Sequence, residues 1–260
     1  ILVSPKKRFF FQIICIISFV IITDLKIVTS RIDLFDTILS NEIFAYFFSS
    51  FCLLILINGS NFIDGLNGLM ISYSLIVIYT LRSLGLISDL IIFDQYFDLI
   101  IPVFLLLLIL NILNILMIGD GGAYLLSFFL GFLIISSHSN NPNISPYFYI
   151  SLIWYPCFEN LFSILRKLNK KFSPLNPDNK HLHQLLYFFV KKKLSLSTIF
   201  SNNLSSAILI LFNFLIIYIC SLNPNSTIYQ VNFIFFSIIF YILNYFLLKK
   251  FYELNFKFKK

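Results

Sequence analysis

Runs of apolar residues, broken by short polar joins, fill most of the chain. Those long enough to cross or nearly cross a hydrocarbon core, which takes about 20 helical residues, lie at about 9–23, 42–57, 66–81, 99–117, 123–137, 147–165, 203–222 and 229–248. Backbone polar groups in lipid must be satisfied within their own segment, so such runs predict helices. The expected fold is all-α, a polytopic membrane helix bundle of about eight transmembrane helices, forming a single integral membrane domain over residues 1–260. The run at 123–137 is short and needs a thinned bilayer or flanking anchors. One sizeable polar excursion interrupts the pattern, a basic loop at about 166–202.

Composition agrees. Of 260 residues, 58% are hydrophobic and 12% charged, against roughly 25% charged in soluble domains. Cys15, Cys52, Cys157 and Cys220 all sit inside apolar runs, without the paired spacing of a metal site or a disulfide framework. A net charge of +7 would suggest nucleic acid in a soluble domain. Here orientation accounts for it, and no nucleic-acid partner is expected. Residues 1–8, the joins near Asn58 and Asp120, the 166–202 loop and the C-terminal tail alternate onto one side and carry 16 of the 19 Lys and Arg residues. The other side receives only Lys26, Arg31 and Arg82. The positive-inside rule puts the first set in the cytoplasm. The chain opens on Ile1, and its first apolar run lacks a small-residue cleavage site, so the expectation is a fragment without a signal peptide.

Three polar stretches fall on the basic side. Residues 58–69, NGSNFIDGLNGL, hold three of the eight glycines. Asn58, Asn61 and Asp64, spaced by three, would share a helix face. A helix end with polar caps is one account, but amides and carboxylates at membrane depth are costly and usually line a functional cavity. Residues 119–123, GDGGA, place Asp120, the lone charge between positions 99 and 158, at the join of two apolar runs. A carboxylate there could hold a hard divalent cation with substrate phosphates, and glycine-flanked N–H groups could approach an anion at the following helix N-terminus. An N-cap aspartate in a tight turn is the alternative.

Residues 177–185, PDNKHLHQL, carry His181 and His183, whose i, i+2 spacing would put both on one side of an extended segment. The lysines around them favour phosphate recognition over a metal. A loop that serves only orientation or anionic lipid contact is the other reading. Glu159, inside an apolar run, needs a partner, either Arg166 two turns along the same face or a basic group from another element. Arg166 binds substrate or merely anchors its helix. His138, on the opposite side, has no assigned role.

Together NGSNFIDGLNGL at 58–69, GDGGAYLLSFFLGF at 119–132, YPCFENLFSILRKL at 155–168 and PDNKHLHQLL at 177–186 resemble, in order and spacing, the polyprenyl-phosphate N-acetylhexosamine-1-phosphate transferase family. The likeness runs to about residue 190, and HLH is nearer the branch that starts surface polysaccharides than the phospho-MurNAc-pentapeptide translocase branch. It implies transfer of a sugar 1-phosphate from a UDP-sugar to a polyprenyl phosphate lipid carrier, with release of UMP. It further implies Mg²⁺, with Mn²⁺ as the alternative ion, and a multi-pass protein of the bacterial cytoplasmic membrane whose site faces the cytoplasm. A homodimer stays open.

On that resemblance Asp120 matches the metal-binding aspartate, and Asn61 and Asp64 match a polar pair near the metal and phosphates. His181 and His183 match histidines that contact the diphosphate, and Asn67 stands where many relatives carry an aspartate near the nucleotide. Asn58 and Arg166 complete the expected substrate-binding set. Asp64 is the candidate proton acceptor for direct attack by the lipid phosphate, a covalent route through an acidic residue being the alternative. The chain also departs from the family. The family's adjacent aspartates precede a segment like ILVSPKKR, so that pair is expected before Ile1. Asn179 replaces an arginine, Gln184 a histidine and Ile115 a lysine. The competing classes are a transporter or flippase, and an inactive remnant without the acidic pair.

Overall fold

The computed structural model describes residues 4–87, 91–169 and 180–257. Among them are eleven helices and no strands: α1 Pro5–Ile22, α2 Asp33–Leu39, α3 Glu42–Ile63, α4 Leu69–Ser83, α5 Ile91–Ile112, α6 Gly119–Asn140, α7 Pro146–Leu152, α8 Trp154–Asn169, α9 Leu182–Leu194, α10 Thr198–Ser221 and α11 Thr227–Lys257. The chain is an all-α integral membrane bundle. Helix α3 is its centre, packed against α1, α6 and α8, while α4 lies on α10.

Local chemistry sets the helix ends. Proline opens α1 and α7, where its missing N–H would have no partner anyway. The Asn41 side chain caps α3 by accepting from the Phe44 N–H at 3.1 Å, and Ser197 caps α10 through the Phe200 N–H at 3.3 Å. Gly68, at φ +75°, turns the chain into α4 through a conformation that favours glycine.

All eight apolar runs carry helix, but eight full crossings is too generous. Among the described residues, α3, α6, α10 and the Thr227–Asn255 part of α11 are long and apolar enough to cross a membrane. The run at 147–165 is broken at Ile153 into α7 and α8, bent by 77°, and counts as a fifth crossing only if the pair is one span. Pro156 sits in the first turn of α8 just after this break, where it lacks an N–H to continue the ladder from α7. Leu69–Ser83 and Tyr96–Ile112 are shorter apolar helices. The expected short span at 123–137 needs no thinned bilayer, because α6 starts four residues earlier, at Gly119, and has 22 residues. Helix α3 likewise runs six residues past the expected 57, so NGSNFI is its last stretch rather than a loop.

Two ends result. At one lie the start of α1, the end of α3, the start of α6 and the end of α8. At the other, Arg31 clamps two loops: its guanidinium donates to the Asn225 carbonyl at 2.8 Å, Thr227 Oγ1 at 3.0 Å and the Asn143 carbonyl at 2.7 Å.

Close approach of α3 and α8 depends on Gly59, where a Cβ would collide with the Pro156 carbonyl. Gly59→Val should therefore destabilise the bundle by about 1–3 kcal/mol, read as a lower thermal unfolding midpoint in detergent. Gly121→Ala is the control, since a Cβ there meets nothing within 4 Å among the described residues, and its midpoint should hold or rise slightly.

Candidate functional site

The polar end of α3 opens onto a cavity of about 740 Å³ that also touches α1, α6, α8, α9 and the α5–α6 and α3–α4 connections. Helical phase explains which side chains reach it. Asn58, Asn61 and Asp64 share one face of the last turns of α3 and line the cavity. Asn58 donates its amide to the Leu54 carbonyl at 2.9 Å, which leaves its oxygen as the acceptor for whatever fills the space. Asp64 ends the helix, and no donor among the described residues hydrogen-bonds its carboxylate. Burial first, and the charge of nearby Asp120 second, push the Asp64 carboxyl up to about 7.

Asp120 stands in the first turn of α6, after Gly119 at φ +64°. It is not the N-cap, the other role open to it from sequence. Its carboxylate is instead paired with Arg8 of α1, and both line the cavity.

The histidines arrive differently from the expected extended segment. His181 is the N-cap of α9 and His183 lies one residue inside the helix, their rings stacked at 5.6 Å. His181 Nδ1 meets Glu159 Oε1 at 2.8 Å, and Tyr241 donates to Glu159 Oε2 at 2.7 Å. A carboxylate only accepts, so the proton of a neutral His181 is on Nδ1 and Nε2 is left for the cavity. Glu159 is wholly buried and takes its partners from other elements rather than from Arg166. Among the described residues neither nitrogen of His183 has a hydrogen-bond partner, and its Nε2 faces Gly65, where a Cβ would come within 2.6 Å. Burial pulls His183 down to about 4, so it is a neutral imidazole near pH 7.

Asn67 lines the cavity from the α3–α4 connection, its N–H donating to Asn202 Oδ1 at 2.7 Å and its amide to Asn114 Oδ1 at 3.4 Å. Arg166 alone among the expected site residues is outside the lining. Its guanidinium bonds the Lys180 carbonyl and the Tyr245 hydroxyl, the latter at 2.8 Å, so it anchors the α8–α9 connection against α11. Gln184 accepts from the His181 N–H at 3.3 Å, which makes it the capping partner of α9. Asn179, with the rest of 177–179, lies outside the described residues.

Sequence reasoning passed over Arg8, Lys167, Asn111, Asn114 and Asn202, all of which line the cavity. Lys167 is buried, with Nζ 5.8 Å from the Phe62 ring. Asn111 and Asn114 were detectable as amides inside an apolar run.

Among the described residues no group of three or more His, Cys, Asp or Glu is placed to hold a metal. Asp64 and Asp120 nevertheless face one space, and Mg²⁺ commonly takes one or two carboxylates and completes its shell with phosphate oxygens and water. The pair fits such an ion and would be a poor cage for one that needs an all-protein shell.

An all-α membrane bundle with two carboxylates, cationic side chains and amides gathered at one end suits an anionic substrate met at the membrane boundary. The pattern of Glycosyl transferase family 4 matches residues 1–138, more than half of the chain, and the chain belongs to that family. The match includes Asn58, Asp64 and Asp120 and stops before Glu159, His181 and His183. Over 156 residues the chain is 28% identical to the undecaprenyl-phosphate alpha-N-acetylglucosaminyl 1-phosphate transferases of Escherichia coli K12 and Shigella flexneri. That alignment covers 55% of this chain and 41% of each relative, so the chain spans less than half the length of these relatives. No solved structure matches it.

The raised Asp64 pKa carries a stability signature. An aspartate titrates at about 3.9 in an unfolded chain. With the folded value higher, the fold suffers no penalty below the unfolded value and loses stability as pH rises from there to about 7, where the loss is complete. Asp64→Asn should thus raise the unfolding midpoint more at pH 8 than at pH 5. Equal shifts at both pH values would contradict the assignment.

Proposed function

We propose that this chain transfers a sugar 1-phosphate, of the N-acetylhexosamine class, from a UDP-sugar to a polyprenyl phosphate, releasing UMP and starting a cell-surface polysaccharide. The observation that carries this reading is the meeting of Asp64, Asp120, His181 and Lys167 in one cavity at the end of an apolar bundle. A soluble nucleotide sugar and a membrane-held phosphate can reach each other only at such a boundary. The relatives' printed activity supports the substrate pair.

Joining two phosphates requires anions that repel to be held together and aligned. Lys167 and Arg8 supply positive charge at the cavity wall. His181 Nε2 and the free oxygens and N–H groups of Asn58, Asn61 and Asn67 orient phosphate and sugar by hydrogen bonds. Asp120 would hold Mg²⁺, which when bound would neutralise charge on the phosphates. An oxygen of the lipid phosphate attacks the sugar-bearing phosphorus, and the bond to the UMP oxygen breaks. Asp64, poised near 7, accepts the proton of the lipid phosphate as its oxygen becomes the nucleophile. His183, neutral and stacked on His181, adds a ring that does not repel the neighbouring cations.

The basic asymmetry along the chain supports a cytoplasmic site in a bacterial inner membrane. A transporter is disfavoured by the site's place at one end of the bundle, since alternating-access sites lie near the midplane.

The test is the chain in liposomes containing polyprenyl phosphate, supplied with Mg²⁺ and a UDP-N-acetylhexosamine labelled in the sugar. Label should enter the lipid fraction with stoichiometric UMP, and Asp64→Asn or Asp120→Asn should cut the rate at least about a hundredfold. Intact UDP-sugar crossing the vesicle would point to transport. No lipid label with a folded protein would reject catalysis by this chain.

A further inference from the structure

Behind His181 runs a line of hydrogen bonds that the reaction, as written, does not use. The Tyr241 hydroxyl on α11 donates to Glu159 Oε2 at 2.7 Å, and Glu159 Oε1, on α8, meets His181 Nδ1 at 2.8 Å. Glu159 is fully buried and Tyr241 nearly so. Among the described residues the Tyr241 hydroxyl has no other hydrogen-bond partner, so its proton has only this carboxylate to go to. Phe62 packs on the His181 ring at 5.0 Å and His183 stacks on it at 5.6 Å, which hinders a turn of the imidazole. Nδ1 therefore stays on the carboxylate, and His181 meets the cavity with Nε2.

We propose, resting on the function proposed above, that Glu159 and Tyr241 are positioning residues: together they hold His181 as the tautomer protonated on Nδ1, so that Nε2 accepts a hydrogen bond from an O–H or N–H of the UDP-sugar. A bare imidazole nitrogen accepts and cannot donate, so it does not suit a fully ionised phosphate oxygen. The proton of the lipid phosphate is already assigned to Asp64, which leaves the donors of the nucleotide sugar. The two oxygens of Glu159 have separate duties, and this makes the arrangement testable. An amide at position 159 has one oxygen and one NH₂ group. The buried Tyr241 hydroxyl needs an acceptor and claims the oxygen, which turns the NH₂ group toward His181 Nδ1. Since that group only donates, the imidazole proton moves to Nε2, and the atom facing the substrate changes from acceptor to donor. Tyr241 thus decides which way the change runs.

The test is long-range ¹H–¹⁵N NMR of the whole chain, labelled with ¹⁵N-histidine, in detergent. The chain has three histidines, and the His181 signals are assigned by their loss in His181→Gln. The parent should carry the proton on Nδ1, and its Nε2 resonance should move when a UDP-N-acetylhexosamine is added with Mg²⁺ but no lipid phosphate. Glu159→Gln should move the proton to Nε2 and lower kcat about 10- to 100-fold, the usual worth of a group that orients a working imidazole. Glu159→Gln with Tyr241→Phe should bring back a share of the Nδ1–H form and of the rate, because the amide is no longer held one way; a merely structural pairing would make the double variant worse than either single one. The parent spectrum decides even if Glu159→Gln does not fold: a proton on Nε2, or on both nitrogens, would overturn the proposal. So would a tautomer unmoved by Glu159→Gln, a moved tautomer with an unchanged rate, no recovery in the double variant, or an Nε2 that responds to polyprenyl phosphate and not to the UDP-sugar. If the parent transfers no sugar phosphate, the reaction itself fails, while the tautomer switch still decides whether Glu159 and Tyr241 set the state of His181.

Discussion

Glu159 is a carboxylate with no water around it, and the geometry of the polar end follows from that. A charge sealed among helices must be paired and hydrogen-bonded or it is prohibitively costly. Helix α8 supplies the charge, the start of α9 supplies His181, and α11 supplies Tyr241. Three elements far apart in sequence are thus held by one group. Because the imidazole is fixed from its Nδ1 side, the atom it offers to the cavity is fixed as well. Removing the carboxylate would loosen the contact between α8, α9 and α11 before it changed any charge at the reaction centre.

A second, weaker network acts on the other wall. Asn67 donates to both Asn202 and Asn114, and the Gly68 N–H donates to Asn111 Oδ1 at 2.5 Å. Asparagine suits this position because it carries both donor and acceptor without a charge to desolvate. The network holds the α3–α4 connection against α5 and α10, so Asp64 sits on a braced edge rather than a free loop. On the inner side Gly59 lets α8 lie directly against α3, bringing Glu159 and Lys167 within reach of the same space.

Much of this was legible in the residues. The three-residue spacing of Asn58, Asn61 and Asp64 stated a helix face, and the lone Asp120 between apolar runs stated a helix start. Apolar length gave the class of fold. What escaped had physical reasons. Glu159 had two candidate partners; the same-helix choice, Arg166, lost to His181, 22 residues on, because pairing is decided in space. Arg8 and Lys167 were absorbed by a correct argument about membrane orientation, which explains a cation without asking what it touches. Asn111 and Asn114 were hidden in a run whose mean apolarity outweighed two amides. The break at Ile153 hid too, since an apolar run reads alike whether straight or bent by 77°.

Helix α11 has 31 residues, a rod of roughly 46 Å at the usual rise, against a hydrocarbon layer of about 30 Å. It cannot be swallowed whole, and Lys249 and Lys250 near its C-terminal end resist being drawn inward. The surplus length therefore works as a depth gauge. Through Phe188, which packs on Phe251 and Tyr252, the gauge is riveted to α9, so the depth at which α11 sits is passed on to the imidazoles at the start of that helix.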